Sequence, residues 1–133
     1  MEYPQFYGPD NLPRAVRTLV ERLIPALVEG SKPALVALQQ QIAHLRVSKA
    51  ELTGAGFYVD FDVDGDVPRA VPPNFAGGAA VIRLTGATVP AGCVLLVREG
   101  RIATLEGYTY GNDTWTEDVD VVSVDDVLPI HPG

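Results

Sequence analysis

The chain of 133 residues is poor in the residues that build cross-links and metal centres. Cys93 is its only cysteine, which excludes an intrachain disulfide. The setting GCVLLV favours a small buried hydrophobic residue over a reactive thiol at this position. His44 and His131 are the only histidines and lie far apart in sequence, so catalysis by imidazole-bound metal has little support. A Ser-His-Asp triad also lacks the nucleophile-elbow motif. We therefore assign no catalytic residue and expect no cofactor.

Long apolar runs are missing as well. No stretch approaches the roughly 20 apolar residues that cross a bilayer as a helix. The opening MEYPQFYGPD lacks the basic region and apolar segment of a secretory signal. We expect a soluble, cytoplasmic protein without a membrane partner.

Basic residues are absent from the C-terminal end. All 10 Lys and Arg residues lie within residues 1–101, where ten acids balance them. The formal net charge of −7 therefore belongs to the last 32 residues. Such a region repels nucleic-acid phosphates, so we expect no nucleic-acid partner, whereas a basic protein would be attracted. An acidic surface that serves only solubility is the alternative. The acids in question are Glu106, Asp113, Glu117, Asp118, Asp120, Asp125 and Asp126.

Length and composition predict a single domain over residues 1–133. With 47% hydrophobic residues, a chain of this size buries about two-thirds of the surface that its unfolded form exposes. Helical periodicity comes first and strand-like alternation follows. We predict an α+β fold, with two N-terminal helices packed on one face of a mostly antiparallel sheet of four to six strands.

The first predicted helix follows a capping signal. Asp10 or Asn11 is a suitable N-cap, and Pro13 is tolerated in the first turn. Pro25 removes a backbone hydrogen bond inside the pattern, so a kink or break is expected near residues 21–24. The apolar residues at helical spacing are Val16, Leu19, Val20, Leu23 and Leu27.

A second helix is predicted after a stop at Gly30. Ser31 is the expected cap and Pro33 the expected start. Residues 39–41 are all glutamine and are predicted to cover the solvent side. The apolar stripe of this helix is formed by Leu35, Leu38, Ile42 and Leu45.

Alternation of apolar and polar residues predicts the strands. GFYVDFDV places one set of side chains toward a core and Tyr58, Asp60 and Asp62 on the other side. Residues 64–78 are too rich in Pro and Gly for regular structure and are predicted as a loop. The other predicted strands are LRVSKAEL, AAVIRL, CVLLV, RIATLEGYTY and a short edge strand DVVSV.

The segment VLLVREGRIATLEGYTY predicts a hairpin. Glu99 and Gly100 form a two-residue turn, and this turn sets the register of the two strands. The expected cross-strand pairs are Val97 with Ile102, Leu95 with Thr104, and Val94 with Leu105.

Four aspartates lie in DFDVDGD. Asp60, Asp62, Asp64 and Gly65 match the opening of a calcium loop, in which alternate carboxylates converge on a hard cation. The twelfth position of that loop should be an acid, and here it is Val71. A strand followed by a turn explains the pattern better, and an open cation site is the alternative.

The segment LEGYTYGNDTW brings acids and aromatic residues together. On an extended strand Glu106, Tyr108 and Tyr110 point the same way, and Trp115 follows after a turn that also contains Asp113. Aromatic side chains with a polar group are frequent interface anchors, so these five residues are our predicted binding site. Packing of the rings as an ordinary core edge is the alternative.

Two segments, LTGAGFYVDFDV and GCVLLVREGRIATLEGYTYGNDTW, resemble a family of small bacterial proteins with no established activity. That family shows a TGxGF strand and a hairpin reading DGxxxxLEGYxY before a tryptophan. The chain departs from it at Glu99, which replaces the turn aspartate, and at Thr116, which replaces a proline. The resemblance covers residues 52–117 and supports the fold more than a function. The matching positions are Thr53, Gly54, Gly56, Phe57, Gly100, Leu105, Glu106, Gly107, Tyr108, Tyr110 and Trp115.

Two hypotheses about function follow. The first is a non-enzymatic interaction protein whose acidic C-terminal surface docks on a basic partner, as in a toxin-neutralising immunity role. The second is a small-molecule-binding protein or hydrolase with a pocket between residues 64–78 and the Glu106 strand, in which Glu106 with Asp113 or Asp60 forms a carboxylate pair. A homodimer through an unprotected sheet edge is a further expectation.

Overall fold

The computed structural model describes residues 2–132. In this part of the chain there are two α-helices, a 3-10 turn and eight strands. In chain order they are β1 (Gln5–Tyr7), α1 (Arg14–Leu27), α2 (Pro33–Gln41), the 3-10 turn (Ile42–His44), β2 (Leu45–Leu52), β3 (Gly56–Val63), β4 (Phe75–Gly77), β5 (Ala79–Leu84), β6 (Gly92–Arg98), β7 (Arg101–Tyr108) and β8 (Val121–Leu128).

Six of the strands form one antiparallel sheet in the order β1-β2-β3-β7-β6-β4. β5 and β8 pair separately as a two-stranded sheet. The predicted α+β fold with a mostly antiparallel sheet is confirmed. β1 was not predicted, because a strand of three residues is too short to show alternation.

The hydrophobic core lies between the helices and one face of the six-stranded sheet. Alternate residues of β3 are buried as predicted, and the apolar stripe of α1 packs in the same core. Each fully buried Leu or Phe contributes roughly 1.5–3 kcal/mol of transfer free energy. The opposite face of the sheet carries no helix and is called the open face below. The β3 core residues are Phe57, Val59, Phe61 and Val63.

The expected N-cap of α1 is wrong, and the helix is not broken near residues 21–24. Neither Asp10 nor Asn11 caps the helix, since Pro13 is the N-cap and the Asn11 Oδ1 accepts a hydrogen bond from the Gly8 N–H at 2.7 Å. The helix also continues through Pro25 to Leu27. Pro25 has no N–H to donate to the Glu21 carbonyl, so the helix lacks that one hydrogen bond but is not ended by it.

The glutamines at the end of α2 do not share a solvent face. Gln40 is exposed, but Gln41 is fully buried. The Gln41 Nε2 donates to the carbonyl oxygens of Pro68 and Gly100, each at 2.8 Å, and its Oε1 accepts from the Ile102 N–H at 2.9 Å. A side chain that is both donor and acceptor bonds three backbone groups here, and for the Pro68 carbonyl and the Ile102 N–H it is the hydrogen-bond partner found within residues 2–132, whereas the Gly100 carbonyl also accepts from the Ala70 N–H at 2.9 Å. Gln41 therefore joins α2 to the β6–β7 hairpin.

The β6–β7 hairpin has the predicted two-residue turn. Glu99 and Gly100 have φ values of 53° and 76°, as a type I′ turn requires. Val97 faces Ile102 as predicted, but the other two predicted pairs are wrong because a register irregularity follows between Leu96 and Val97. The observed pairs are Leu95 with Leu105, Val94 with Glu106, and Leu96 with Thr104.

Two further expectations need correction. The predicted loop 64–78 contains β4, which pairs with β6. The predicted short strand DVVSV is β8, eight residues long, and it joins β5 rather than the main sheet. Loss of alternation at Asp125 and Asp126 hid its length, and the positive φ of 50° at Asp126 marks the irregularity.

The Gln41 contacts predict a large effect of a small substitution. Gln41→Ala leaves the Ile102 N–H and the Pro68 carbonyl without their partner, so we expect a loss of roughly 2–3 kcal/mol in the free energy of unfolding. Urea denaturation followed by circular dichroism measures it. Gln40→Ala is the matched control and should change stability by less than about 0.5 kcal/mol. Equal effects of the two variants would contradict the structural role of Gln41.

Candidate functional site

The antiparallel register arranges the open face into rows that run across the strands. One row, here called the tyrosine row, consists of Phe6, Glu51, Tyr58, Glu106 and Val94, on β1, β2, β3, β7 and β6 respectively. Directly opposed residues in neighbouring strands have their side chains on the same face and in contact range. Tyr58 therefore lies between two glutamates.

The next row, here called the aspartate row, has a different character. It runs through Lys49, Asp60, Thr104 and Leu96 to Ala76. The Thr104 hydroxyl donates to the Asp60 carboxylate at 2.9 Å, and the Lys49 Nζ lies 3.9 Å from the same carboxylate. The Asp60 charge is thus already satisfied within the chain.

A pocket of about 240 Å³ lies on the open face between these two rows. Apolar and aromatic groups form much of its wall, and two acids and two bases reach it. The size is below the roughly 300 Å³ at which drug-sized ligand sites begin, so it suits a single side chain or a small molecule. The lining residues are Phe6, Lys49, Ala50, Glu51, Tyr58, Asp60, Leu96, Arg98 and Thr104.

The two glutamates define the electrostatics around Tyr58. The charge of Glu106 raises the pKa of the Tyr58 hydroxyl, with further contributions from desolvation, a hydrogen bond to Glu106 and the charge of Glu51. No ion pair within residues 2–132 involves either glutamate. Tyr58 is 41% exposed and Phe6 is 65% exposed. Two carboxylates without cations thus flank an accessible aromatic ring.

Of the predicted binding residues, Glu106, Tyr108 and Tyr110 are brought together. Glu106 and Tyr108 share the open face, and the rings of Tyr108 and Tyr110 meet edge to face with centroids 5.6 Å apart. The Tyr108 ring lies over Gly92, where an added Cβ would come within 2.7 Å of it. Burial raises the pKa of the Tyr108 hydroxyl, and a hydrogen bond to Tyr110 adds to this.

Trp115 does not join these tyrosines, so its predicted role as an exposed anchor is wrong. It has no exposed surface and packs edge-on against Phe57 in the core, with ring centroids 4.9 Å apart. Its backbone N–H donates to the Gly54 carbonyl at 2.8 Å. The turn at Gly111, with φ of 62°, brings the chain back to the core side of the sheet. The alternative of ordinary core packing is the one observed for this ring.

Asp113 supports a loop. Its carboxylate accepts hydrogen bonds from the Thr88 hydroxyl at 2.6 Å and from the backbone N–H groups of Thr88 and Val89. These bonds, the side-chain bond of Thr88 first, lower the pKa of Asp113. The acid thereby fastens the segment between β5 and β6 to the turn after β7.

Asp62 and Asp64 of DFDVDGD are paired with a base. Arg46 binds the Asp64 carboxylate through two nitrogens at 3.1 and 3.2 Å, and its Nη2 lies 3.6 Å from Asp62. The hydrogen bond to Arg46 lowers the pKa of Asp64. Within residues 2–132 no group of three or more His, Cys, Asp or Glu side chains is arranged to hold a metal ion.

Sequence reasoning missed half of this site. Phe6, Glu51 and Arg98 were not singled out, and Tyr58 was placed on the polar face of β3 without a role. The alternation of β2 and β3 contains the signal for Glu51 and Tyr58, but only the cross-strand register shows that they are neighbours. The pocket lies beside the Glu106 row, not against residues 64–78 as expected.

Comparison with known proteins adds no family assignment. No family model, curated protein sequence or solved structure matches the chain. The resemblance of residues 52–117 to small bacterial proteins stays a prediction.

Neither α-helix in the described part of the chain has the length and apolar character needed to cross a membrane.

Cys93 generates a prediction about pH. The residue is 1% exposed, and burial raises the pKa of its thiol to about 11. A raised pKa in the folded state gives stability that is complete below the unfolded pKa of 9.0 and is lost as the pH rises toward 11. We expect the wild type to lose up to about 2 kcal/mol through this group between pH 8 and 10.5.

Urea unfolding at both pH values measures this loss. Cys93→Ala lacks the thiol and should show a correspondingly smaller loss. Tyr7, whose pKa burial raises to about 12, still contributes alkaline sensitivity in both proteins. An identical pH dependence for wild type and Cys93→Ala would contradict the prediction.

Proposed function

We propose that this protein binds a basic protein partner on its open face, centred on Tyr58 and the flanking Glu51 and Glu106. The observation that carries the proposal is an accessible aromatic ring held between two carboxylates that have no cation of their own. A partner Arg or Lys supplies the missing charge and stacks on the ring at the same time.

The contrast with the other acids of this face supports the proposal. Asp60 has Lys49, and Asp62 and Asp64 share Arg46. Internal pairing is therefore the rule among these acids, and the glutamates of the tyrosine row are exceptions. Unpaired charge on a rigid sheet loses little conformational entropy when a partner arrives.

Aromatic area adds to the charge. Phe6 and Tyr58 lie on the open face, and Tyr110 at its end is 51% exposed. Exposed aromatic side chains surrounded by polar groups are the usual anchors of protein interfaces. These rings bury apolar surface when a partner binds, and long-range charge attraction alone does not do so.

The net charge of −7 favours encounter with a basic partner. Neutralisation of a basic toxin by an immunity-type protein is one role that this charge fits. Self-association through a sheet edge, also expected from the sequence, gains no support from contacts within a single chain.

A small molecule in the pocket is the second candidate, favoured by the pocket volume of about 240 Å³. A hydrolytic role has less support. Asp60, the proposed partner of Glu106 in acid–base chemistry, is engaged by Thr104 and Lys49.

A defined basic peptide tests the proposal. The probe is the acetylated and amidated hexapeptide Gly-Arg-Gly-Arg-Gly-Arg, with binding measured by isothermal titration calorimetry in 50 mM salt. The double variant Glu51→Gln, Glu106→Gln should weaken binding by about tenfold or more, because both charge partners are removed.

The matched control changes the net charge by the same amount elsewhere. Asp125→Asn with Asp126→Asn alters two exposed acids of β8, which pairs with β5 outside the six-stranded sheet, and should weaken binding by no more than about twofold. Equal weakening by the two double variants would show general charge attraction and overturn the proposed site.

A further inference from the structure

The pocket has a positive end that the proposed function does not use. Arg98 is exposed and directly faces Arg101 across the β6–β7 hairpin. Arg101 is tied to the carbonyl oxygens of Val63 and Gly65 at 3.3 and 3.4 Å, and Arg98 has no ion pair within residues 2–132. Like charges in directly opposed positions destabilise a sheet, and an anion placed at Arg98 relieves this repulsion.

The negative end of the same pocket is Glu51, beside Tyr58. The other two charged residues of the lining, Lys49 and Asp60, are an ion pair at 3.9 Å and cancel each other. What remains is one uncompensated carboxylate on β2 and one uncompensated guanidinium on β6. The pocket is therefore bipolar.

The size of the pocket limits which ligands can contact both of these charges. A volume of about 240 Å³ holds one residue and no folded segment. Arg98 is four residues from Val94 of the tyrosine row, about 14 Å along β6, and β6 is three strands, about 14 Å, from Glu51 on β2. The long side chain of Arg98 reaches across part of this distance. A single bound residue neutralises both Glu51 and Arg98 only if it carries both a cation and an anion.

We propose that the pocket binds a basic residue with a free carboxylate, which means the C-terminal Arg or Lys of the partner chain. The side-chain cation lies at Glu51 and Tyr58, the carboxylate lies at Arg98, and the aliphatic stem packs on Leu96. This inference rests on the proposed function and names the part of the basic partner that is recognised. Free arginine or lysine has the same chemistry, and the experiment separates the two sources.

The test compares the hexapeptide probe as a C-terminal amide and as a free acid. The free acid has a C-terminal carboxylate that the amide lacks, so its net positive charge is lower by one. General attraction to a protein of charge −7 therefore predicts that the free acid binds more weakly. A built carboxylate site predicts the opposite order. We expect the free acid to bind at least fivefold more tightly than the amide.

Arg98→Gln should remove this preference, leaving the amide bound as in the wild type or slightly more tightly. Arg83→Gln is the matched control, since Arg83 is an exposed base on β5 outside the pocket, and it should retain the preference. Competition by free L-arginine at concentrations below those of the peptide midpoint would assign the site to the amino acid; competition only far above them assigns it to a chain terminus.

Failure of this inference is distinguishable from failure of the proposed function. If the amide binds in a manner that depends on Glu51 and Glu106 but the free acid binds no more tightly, only the carboxylate site is overturned. If neither peptide depends on those glutamates, the open face is not the binding site and both proposals are overturned. A free-acid preference that persists in Arg98→Gln also overturns the role of Arg98.

Discussion

The cross-strand register of β2, β3, β7 and β6 is the constraint on which the rest of the structure depends. Because side chains alternate between faces, a shift of one residue in any pair would exchange core and open-face positions. The observed register places Phe57 and Leu105 against the helices while Tyr58 and Glu106 face away from them. Burial of the core residues thus determines the register, and the same register determines which side chains are neighbours on the open face.

The irregularity in the β6–β7 hairpin shows how local and long-range terms combine. The turn at Glu99 and Gly100 was predictable because Gly100 favours the required positive φ, although a glutamate at the first turn position is uncommon. The additional residue in β7 before Thr104 was not, because it satisfies burial of Leu95 against Leu105 rather than any local preference. It also brings Thr104 opposite Asp60, where its hydroxyl completes the aspartate row.

Periodicity predicted the elements that have a long apolar pattern. It failed where the role of a residue depends on contact with residues distant in sequence. The two helices, the alternation of β3 and the hairpin turn came from patterns of eight residues or more. The sequence predicts Gln41 to be a surface residue, because its three backbone partners are 27, 59 and 61 positions away in the chain. The sequence predicts Trp115 to be an exposed interface anchor, but the reversal of the chain after β7 packs its ring against Phe57. The site was only half predictable for the same reason: Glu51 and Glu106 are 55 positions apart, and register alone joins them through Tyr58.

Charge along the sequence is a poor guide to charge on this surface. The seven acids of the last 32 residues suggested a single acidic region, yet several of them have partners within the chain. Asp113 holds a loop, Asp120 pairs with Arg14 at 2.8 Å, and Glu117 accepts a hydrogen bond from the Tyr7 hydroxyl at 2.8 Å. The carboxylate pair of the proposed binding site instead combines Glu106 with Glu51, which belongs to the electrically balanced part of the chain. A net charge directs a partner toward the molecule over the distance of a Debye length, but unpaired charges beside accessible rings determine where it stays.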